Sequence, residues 1–153
     1  MRKIKVAAMG VEHRHIFGQL NGMLNLGCEC VGWWNESDNN ITKDFNEKHP
    51  DIPRFINKED LLKNKEIELV LIADIPVKRA ALAIECMNAG KDVMLDKPGC
   101  TTLEQLKEIE NTIKKTGKIF SIDFSERFEV PSVQVAYDLI QAGEIGDVVQ
   151  TIG

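Results

Sequence analysis

The sequence predicts a doubly wound, mostly parallel α/β sheet. Three observations carry that prediction: short β-rich apolar runs alternate with amphipathic stretches, glycine marks the change from one to the next, and the runs are apolar nearly throughout. Strands covered on both faces read this way, whereas half-exposed strands alternate.

The first run, Ile4–Met9, leads into a polar loop and then into Ile16, Leu20, Met23 and Leu24, which recur at helical spacing. Gly27 closes that helix by taking the left-handed conformation that turns a chain toward its next strand. The second strand is Glu29–Trp34, followed by a helix at Asn40–His49 that stops at Pro50. The third is Leu69–Ala73, after which Ala80, Ala83, Ile84 and Met87 mark a helix ending at Gly90. The fourth is Asp92–Leu95. Leu103, Leu106, Ile109 and Ile113 mark the next helix, with a capping box of Thr101 and Glu104 at its start and Gly117 at its end. The fifth strand is Ile119–Asp123. Beyond it a helix over Pro131–Ala142, stopped by Gly143, leads to an expected strand at Asp147–Ile152. Right-handed crossovers between parallel strands place the helices on both faces of one sheet filled by residues 1–125.

The 153 residues are 43% hydrophobic and 28% charged, with 24 acidic against 19 basic side chains and a net charge of -5. A chain of this length buries enough surface to dispense with disulfide or metal staples. The acidic balance argues against nucleic acid or an anionic membrane as partner. No apolar run approaches the ~18 residues of a membrane span. The apolar stretch after Lys5 is too short for a signal peptide, so a cytoplasmic location is expected. Cys28, Cys30, Cys86 and Cys100 lack CxxC spacing and are expected to be reduced thiols.

In an open parallel sheet, ligands bind outside the carboxyl ends of the strands. After the first strand comes Gly10-Val11-Glu12-His13-Arg14-His15-Ile16-Phe17-Gly18. A GxGxxG dinucleotide fingerprint would need glycine at 10, 12 and 15, and only Gly10 complies. The helix start still favours an anion, for which His13, Arg14 or His15 would supply donors. The two histidines are open to three readings: turn residues, contacts to cofactor or substrate, or metal ligands. After the second strand, Asn35 and Glu36 stand where an acidic residue would accept from an adenosine ribose. With no arginine near them in sequence, NAD is favoured over NADP. Ala73 is small enough for a cofactor to pass close, with Asp74 after it. Asp96-Lys97-Pro98 follows the fourth strand, where a half-buried lysine can donate to a substrate oxygen or move a proton. The alternative for Lys97 is a structural pairing with Asp96.

The segment Met87-Asn88-Ala89-Gly90-Lys91-Asp92-Val93-Met94-Leu95-Asp96-Lys97-Pro98 resembles the AGKHVLxEKP stretch of the Gfo/Idh/MocA oxidoreductases, which include glucose-fructose oxidoreductase and inositol dehydrogenase. Ser125-Glu126-Arg127-Phe128 and Ala142-Gly143-Glu144-Ile145-Gly146-Asp147-Val148-Val149 are similar to that family's RF…GxIGxV stretch. The resemblance implies a Rossmann domain binding NAD or NADP, for which the strand exits of this chain offer Gly10, Glu12, His13, Arg14, His15, Asn35, Glu36, Ala73, Asp74, Asp96 and Lys97. It further implies that residues 126–153 begin a second, substrate-binding domain, so that the chain is the N-terminal part of a longer protein that forms a homo-oligomer. The implied reaction is hydride transfer between nicotinamide and a sugar or polyol, with Lys97 as the catalytic residue of this half. Asp96 stands where the family has glutamate, Asn35 where it has an acid, and Glu12 and His15 where it has glycine. Two other readings follow from those departures: a binding or regulatory protein of the family's shape, or non-redox chemistry, as in NAD-assisted glycoside cleavage or at a metal on His13 and His15.

Overall fold

The apolar runs become five parallel strands among the described residues, 3–125 and 130–151 of this computed structural model. They are β1 (Lys5–Val11), β2 (Glu29–Trp34), β3 (Leu69–Ala73), β4 (Asp92–Asp96) and β5 (Phe120–Asp123), in the spatial order β2-β1-β3-β4-β5. The helices are α1 (His15–Asn25), α2 (Asn40–Lys48), α3 (Lys58–Lys63), α4 (Pro76–Asn88), α5 (Leu103–Thr116) and α6 (Pro131–Gln141). This is a Rossmann-like α/β sheet, as the sequence predicts.

Side chains alternate across each strand, so each face of the sheet owns its own core. Val6, Ala8, Leu71 and Ala73 pack with Ile16 and Leu20 of α1 and Phe45 of α2. Ala7, Met9, Val70, Ile72, Val93 and Leu95 pack on the other face with Ala80, Ala83, Cys86 and Met87 of α4 and Ile109 of α5. Each fully buried Leu or Ile contributes roughly 1.5–3 kcal/mol relative to exposure. Gly27, Gly90 and Gly117 take positive φ at the helix ends, as their positions predict.

Several expectations are corrected. The cap of α5 sits one residue later than Thr101 and Glu104: Thr102 is the N-cap and accepts from the Gln105 amide at 3.2 Å, while Gln105 Oε1 accepts from the Thr101 amide at 2.8 Å. Both pairs have capping spacing, and the choice falls to the one whose polar side chain reaches back. Helix α3 was not expected, since its six residues are too few to show a helical period. Asp147–Thr151 form no strand. A strand needs a neighbour for its amides and carbonyls, and the segment holding these residues contains no other strand among the described residues. Ile152, the end of that expected strand, lies outside the described residues, as do Glu126, Arg127 and Phe128 of the family-like motif.

The chain divides into two compact units, Met1–Asp123 with the sheet and Phe124–Gly153 with α6. All four cysteines are free. Burial pushes the Cys86 thiol up to about 12, so it packs as a small apolar side chain. No helix among the described residues is long and apolar enough to cross a membrane.

Candidate functional site

Because the strands are parallel, their carboxyl ends bring Gly10–His15, Asn35–Glu36, Asp74 and Asp96–Gly99 to one edge. Gly10 occupies an irregularity in β1, where pairing with β3 shifts between Met9 and Val11. Its φ of 70° is costly for other residues, and a Cβ there would lie 2.6 Å from the Asp74 Cβ. The first-strand glycine thus lets two strand exits close on each other.

Asp96, the last residue of β4, is the hub of the edge and is 2% exposed. Oδ1 lies 2.8 Å from His15 Nδ1 and accepts from the Lys97 amide at 2.8 Å. Oδ2 lies 3.2 Å from His13 Nδ1 and accepts from Arg79 Nη2 at 2.8 Å. The two imidazoles meet edge to face with centroids 4.3 Å apart. Burial lowers the His13 pKa, against the upward pull of the Asp96 carboxylate. The Asp96 carboxylate is thus paired with one buried guanidinium and faced by two partly exposed imidazoles.

Arg79 is buried on α4 and spends its remaining donors on backbone. Nε donates to the Asp74 carbonyl at 2.5 Å, and Nη1 donates to the carbonyls of Asp96 at 3.0 Å, Lys97 at 2.5 Å and Pro98 at 3.3 Å. One side chain thus fixes the exits of β3 and β4 together, including the cis Lys97–Pro98 peptide. Lys97 itself is half-buried. Nothing singled Arg79 out in the sequence, although it falls at helical spacing with Ala83 and Cys86, in the buried stripe of α4.

The other exits are tied differently from a glycine fingerprint. The amides of Glu12 and His13 both donate to the Ala73 carbonyl, at 3.1 and 2.9 Å. Asn35 Oδ1 accepts from the Val11 amide, and its Nδ2 donates to Glu12 Oε1 and the Ser37 carbonyl, each at 2.7 Å. Asn35 thus spends its amide inside the loop and holds the Glu12 carboxylate in place. Asn39, also unremarked in the sequence, donates to the Val11 carbonyl at 3.3 Å while capping α2. Arg14 reaches outward to Asp44 at 2.8 Å. Glu36 pairs with Lys78 across to α4, which holds the carboxyl below and the ammonium above their ordinary values. Asp74 is buried, accepts from the Ile75 amide at 2.6 Å, and has its pKa raised by that burial.

Beside the end of β2 lies an open cleft of about 400 Å³, lined by Trp34, Asn35, Glu36, Arg54 and Lys58 among others. Arg54 arrives there because Trp33 and Arg54 form a parallel bridge. It pairs with Asp38 at 2.5 Å and stacks over Trp33. The expectation that no arginine lies near Asn35 and Glu36 is therefore corrected: separation along the chain hid a contact made by the loop before α3.

The family profile described as "Oxidoreductase family, NAD-binding Rossmann fold" matches residues 12–124. A candidate oxidoreductase from Erwinia carotovora atroseptica SCRI1043 superposes with a TM-score of 0.91 at 38% identity, over 97% of this chain and 44% of that one. Inositol 2-dehydrogenase from Salmonella typhimurium is 30% identical over 105 residues, which are 68% of this chain and 28% of that protein. The WlbA dehydrogenase from Chromobacterium violaceum, solved with NADH and UDP-GlcNAcA, shares the fold with a TM-score of 0.80 at 21% identity, over 95% of this chain and 42% of that one. The chain thus spans less than half the length of each of these relatives. With its parallel sheet, its Asp96-Lys97-Pro98 exit and a family profile that covers most of its length, the chain belongs to the Gfo/Idh/MocA oxidoreductase family with an NAD-binding Rossmann fold.

Proposed function

We propose that the protein is a nicotinamide-dependent oxidoreductase acting on the hydroxyl or carbonyl carbon of a sugar, polyol or related small molecule. The observation that carries this reading is the Asp96-Lys97-Pro98 exit of β4, pinned by Arg79 so that a half-buried lysine stands at the ligand-binding edge. The dinucleotide fits this chain at its two ends and meets a different donor set in the middle. On this reading the cleft at Glu36 and Arg54 takes the adenosine end, and the exits of β3 and β4, at Ala73 and Lys97, take the nicotinamide end. Between them, the Glu12 and His13 amides already serve Ala73, so the pyrophosphate falls to a side chain of the loop, Arg14, once its guanidinium leaves Asp44.

When bound, the cofactor supplies or accepts the hydride. Lys97 Nζ donates a hydrogen bond to the substrate oxygen and stabilises negative charge as it develops there, an effect strongest in a water-poor site. Glu36 lines the cleft assigned to the adenosine end. The choice of NAD or NADP turns on whether Glu36 or Arg54 faces the ribose 2′ position. Fluorescence titration of the purified protein with NADH and NADPH tests the reading, because Trp34 lines the cleft. Saturable binding of at least one is expected, and Arg54→Ala weakens NADPH more than NADH. Binding of neither cofactor would replace this reading with that of a protein of the family's shape that has left hydride chemistry.

A further inference from the structure

We propose that His13, His15 and Asp96 form a binding site for a divalent first-row transition-metal ion, a site that does not depend on the nicotinamide reading. One ligand atom from each residue lies within 4.8 Å of the other two. Each imidazole nitrogen approaches its own oxygen of the one carboxylate, His15 Nδ1 lying 2.8 Å from Asp96 Oδ1 and His13 Nδ1 3.2 Å from Asp96 Oδ2. Metal–ligand bonds of about 2.0–2.1 Å place neighbouring ligands about 2.8–3.4 Å apart in octahedral and tetrahedral shells. Both distances fall within that range, and the two rings pack edge to face with their centroids 4.3 Å apart.

Both imidazoles direct the same nitrogen, Nδ1, at a single carboxylate. The loop is what arranges this: His13 and His15 are two apart on a turn whose amides are tied to Ala73, so their rings are held side by side over the end of β4. A cation would take the His13 lone pair that now accepts a long 3.3 Å bond from the His15 amide. Asp96 is oriented from behind by Arg79 Nη2 and the Lys97 amide, which is how outer-shell partners hold a metal-bound carboxylate. The His13 and His15 side chains remain 50% and 38% exposed, so the outer positions of the ion stay open to water or an oxygen ligand. Two imidazoles and one carboxylate with open positions suit zinc, iron or cobalt, and not magnesium or calcium, which prefer all-oxygen sites.

The test is titration of the purified, chelator-treated protein with Co²⁺, followed by visible absorption and by calorimetry with Zn²⁺, in the absence of any nicotinamide. One ion per chain is expected for each metal, with no comparable uptake of Mg²⁺. His13→Asn and His15→Asn, both at partly exposed positions, should each weaken Co²⁺ binding ~10²-fold or more, beyond the ~10–100-fold cost of losing an outer-shell partner. His49→Ala, at the remaining histidine, should leave it unchanged. Circular dichroism matching the parent establishes that each variant is folded. Absence of Co²⁺ and Zn²⁺ uptake, or uptake that persists undiminished in both folded asparagine variants, overturns the site. Neither outcome bears on NADH or NADPH binding, which is read separately.

Discussion

Lys97 is where the chemistry of single residues is most exposed to test. It stands at the exit of a buried strand, and Arg79 holds its backbone carbonyl, so the backbone there is fixed independently of the side-chain charge. Lys97→Met keeps most of the stem and removes the donor. On the proposed reading, in which the ammonium contacts the reacting oxygen, turnover of a polyol by the full-length enzyme should fall ~10²-fold or more, with NADH affinity nearly unchanged. Comparable losses in turnover and cofactor affinity would assign Lys97 to cofactor binding instead. Asp74 is the opposite case, a carboxyl that burial pushes toward its neutral form. A carboxyl whose folded pKa lies above its unfolded value stabilises the fold most when protonated, and that contribution is lost as pH rises through the folded pKa. Asp74→Asn keeps an acceptor for the Ile75 amide and removes the buried charge. It should therefore be more stable than the parent at neutral pH, and the advantage should shrink toward zero as pH falls below the raised pKa. Urea melts at pH 4 and pH 7 measure both ends.

At the scale of elements, α4 and β4 are coupled by one side chain. Arg79 is 2% exposed and answers one buried carboxylate and four carbonyls. Removing one partner of a buried ion pair costs about 3–5 kcal/mol, because the other charge is left unanswered. Arg79→Met should cost that much in urea unfolding, and Arg79→Lys should recover little, since one ammonium cannot span acceptors fixed around a planar fork. A loss under about 1 kcal/mol for Arg79→Met would show that the carbonyls find water instead. Arg79 also shows what was legible in the sequence. Strand and helix periods located β1 to β5 because a parallel sheet buries whole runs such as Leu69–Ala73. The Asp96-Lys97-Pro98 exit was legible because the motif is local. What a residue touches across the fold was not: Arg54 reaches Trp33 through a bridge, and Asn35 turns its amide onto Val11. The pairing of His13 and His15 with Asp96 joins positions 81 residues apart or more, and one sequence has no period that reports such a contact. The cap of α5 slipped by one because Thr101 and Thr102 offer the same chemistry to the same turn.

For the molecule as a whole, the distribution of burial sets what can fold alone. Every buried apolar side chain among the described residues lies between Val6 and Ile109, within the Met1–Asp123 unit, and that unit has a helix layer on each face of its sheet. It therefore has what an independent folding unit requires: a core of its own and paired strands. In the Phe124–Gly153 unit, α6 has no buried residue, and Val149 is 95% exposed. A chain ending at Asp123 should fold cooperatively, with a Tm within about 4 °C of the parent, a shift equivalent to ~1 kcal/mol in a domain of this size. Hydrogen exchange on the parent should run parallel to this. Amides of β3, paired on both sides by β1 and β4, should open only with global unfolding, and those of Asp147–Thr151, which belong to no ladder, should exchange orders of magnitude faster. A truncated chain that is expanded and binds hydrophobic dye, or equal protection in the two segments, would mean that the Phe124–Gly153 unit completes the core instead of following it.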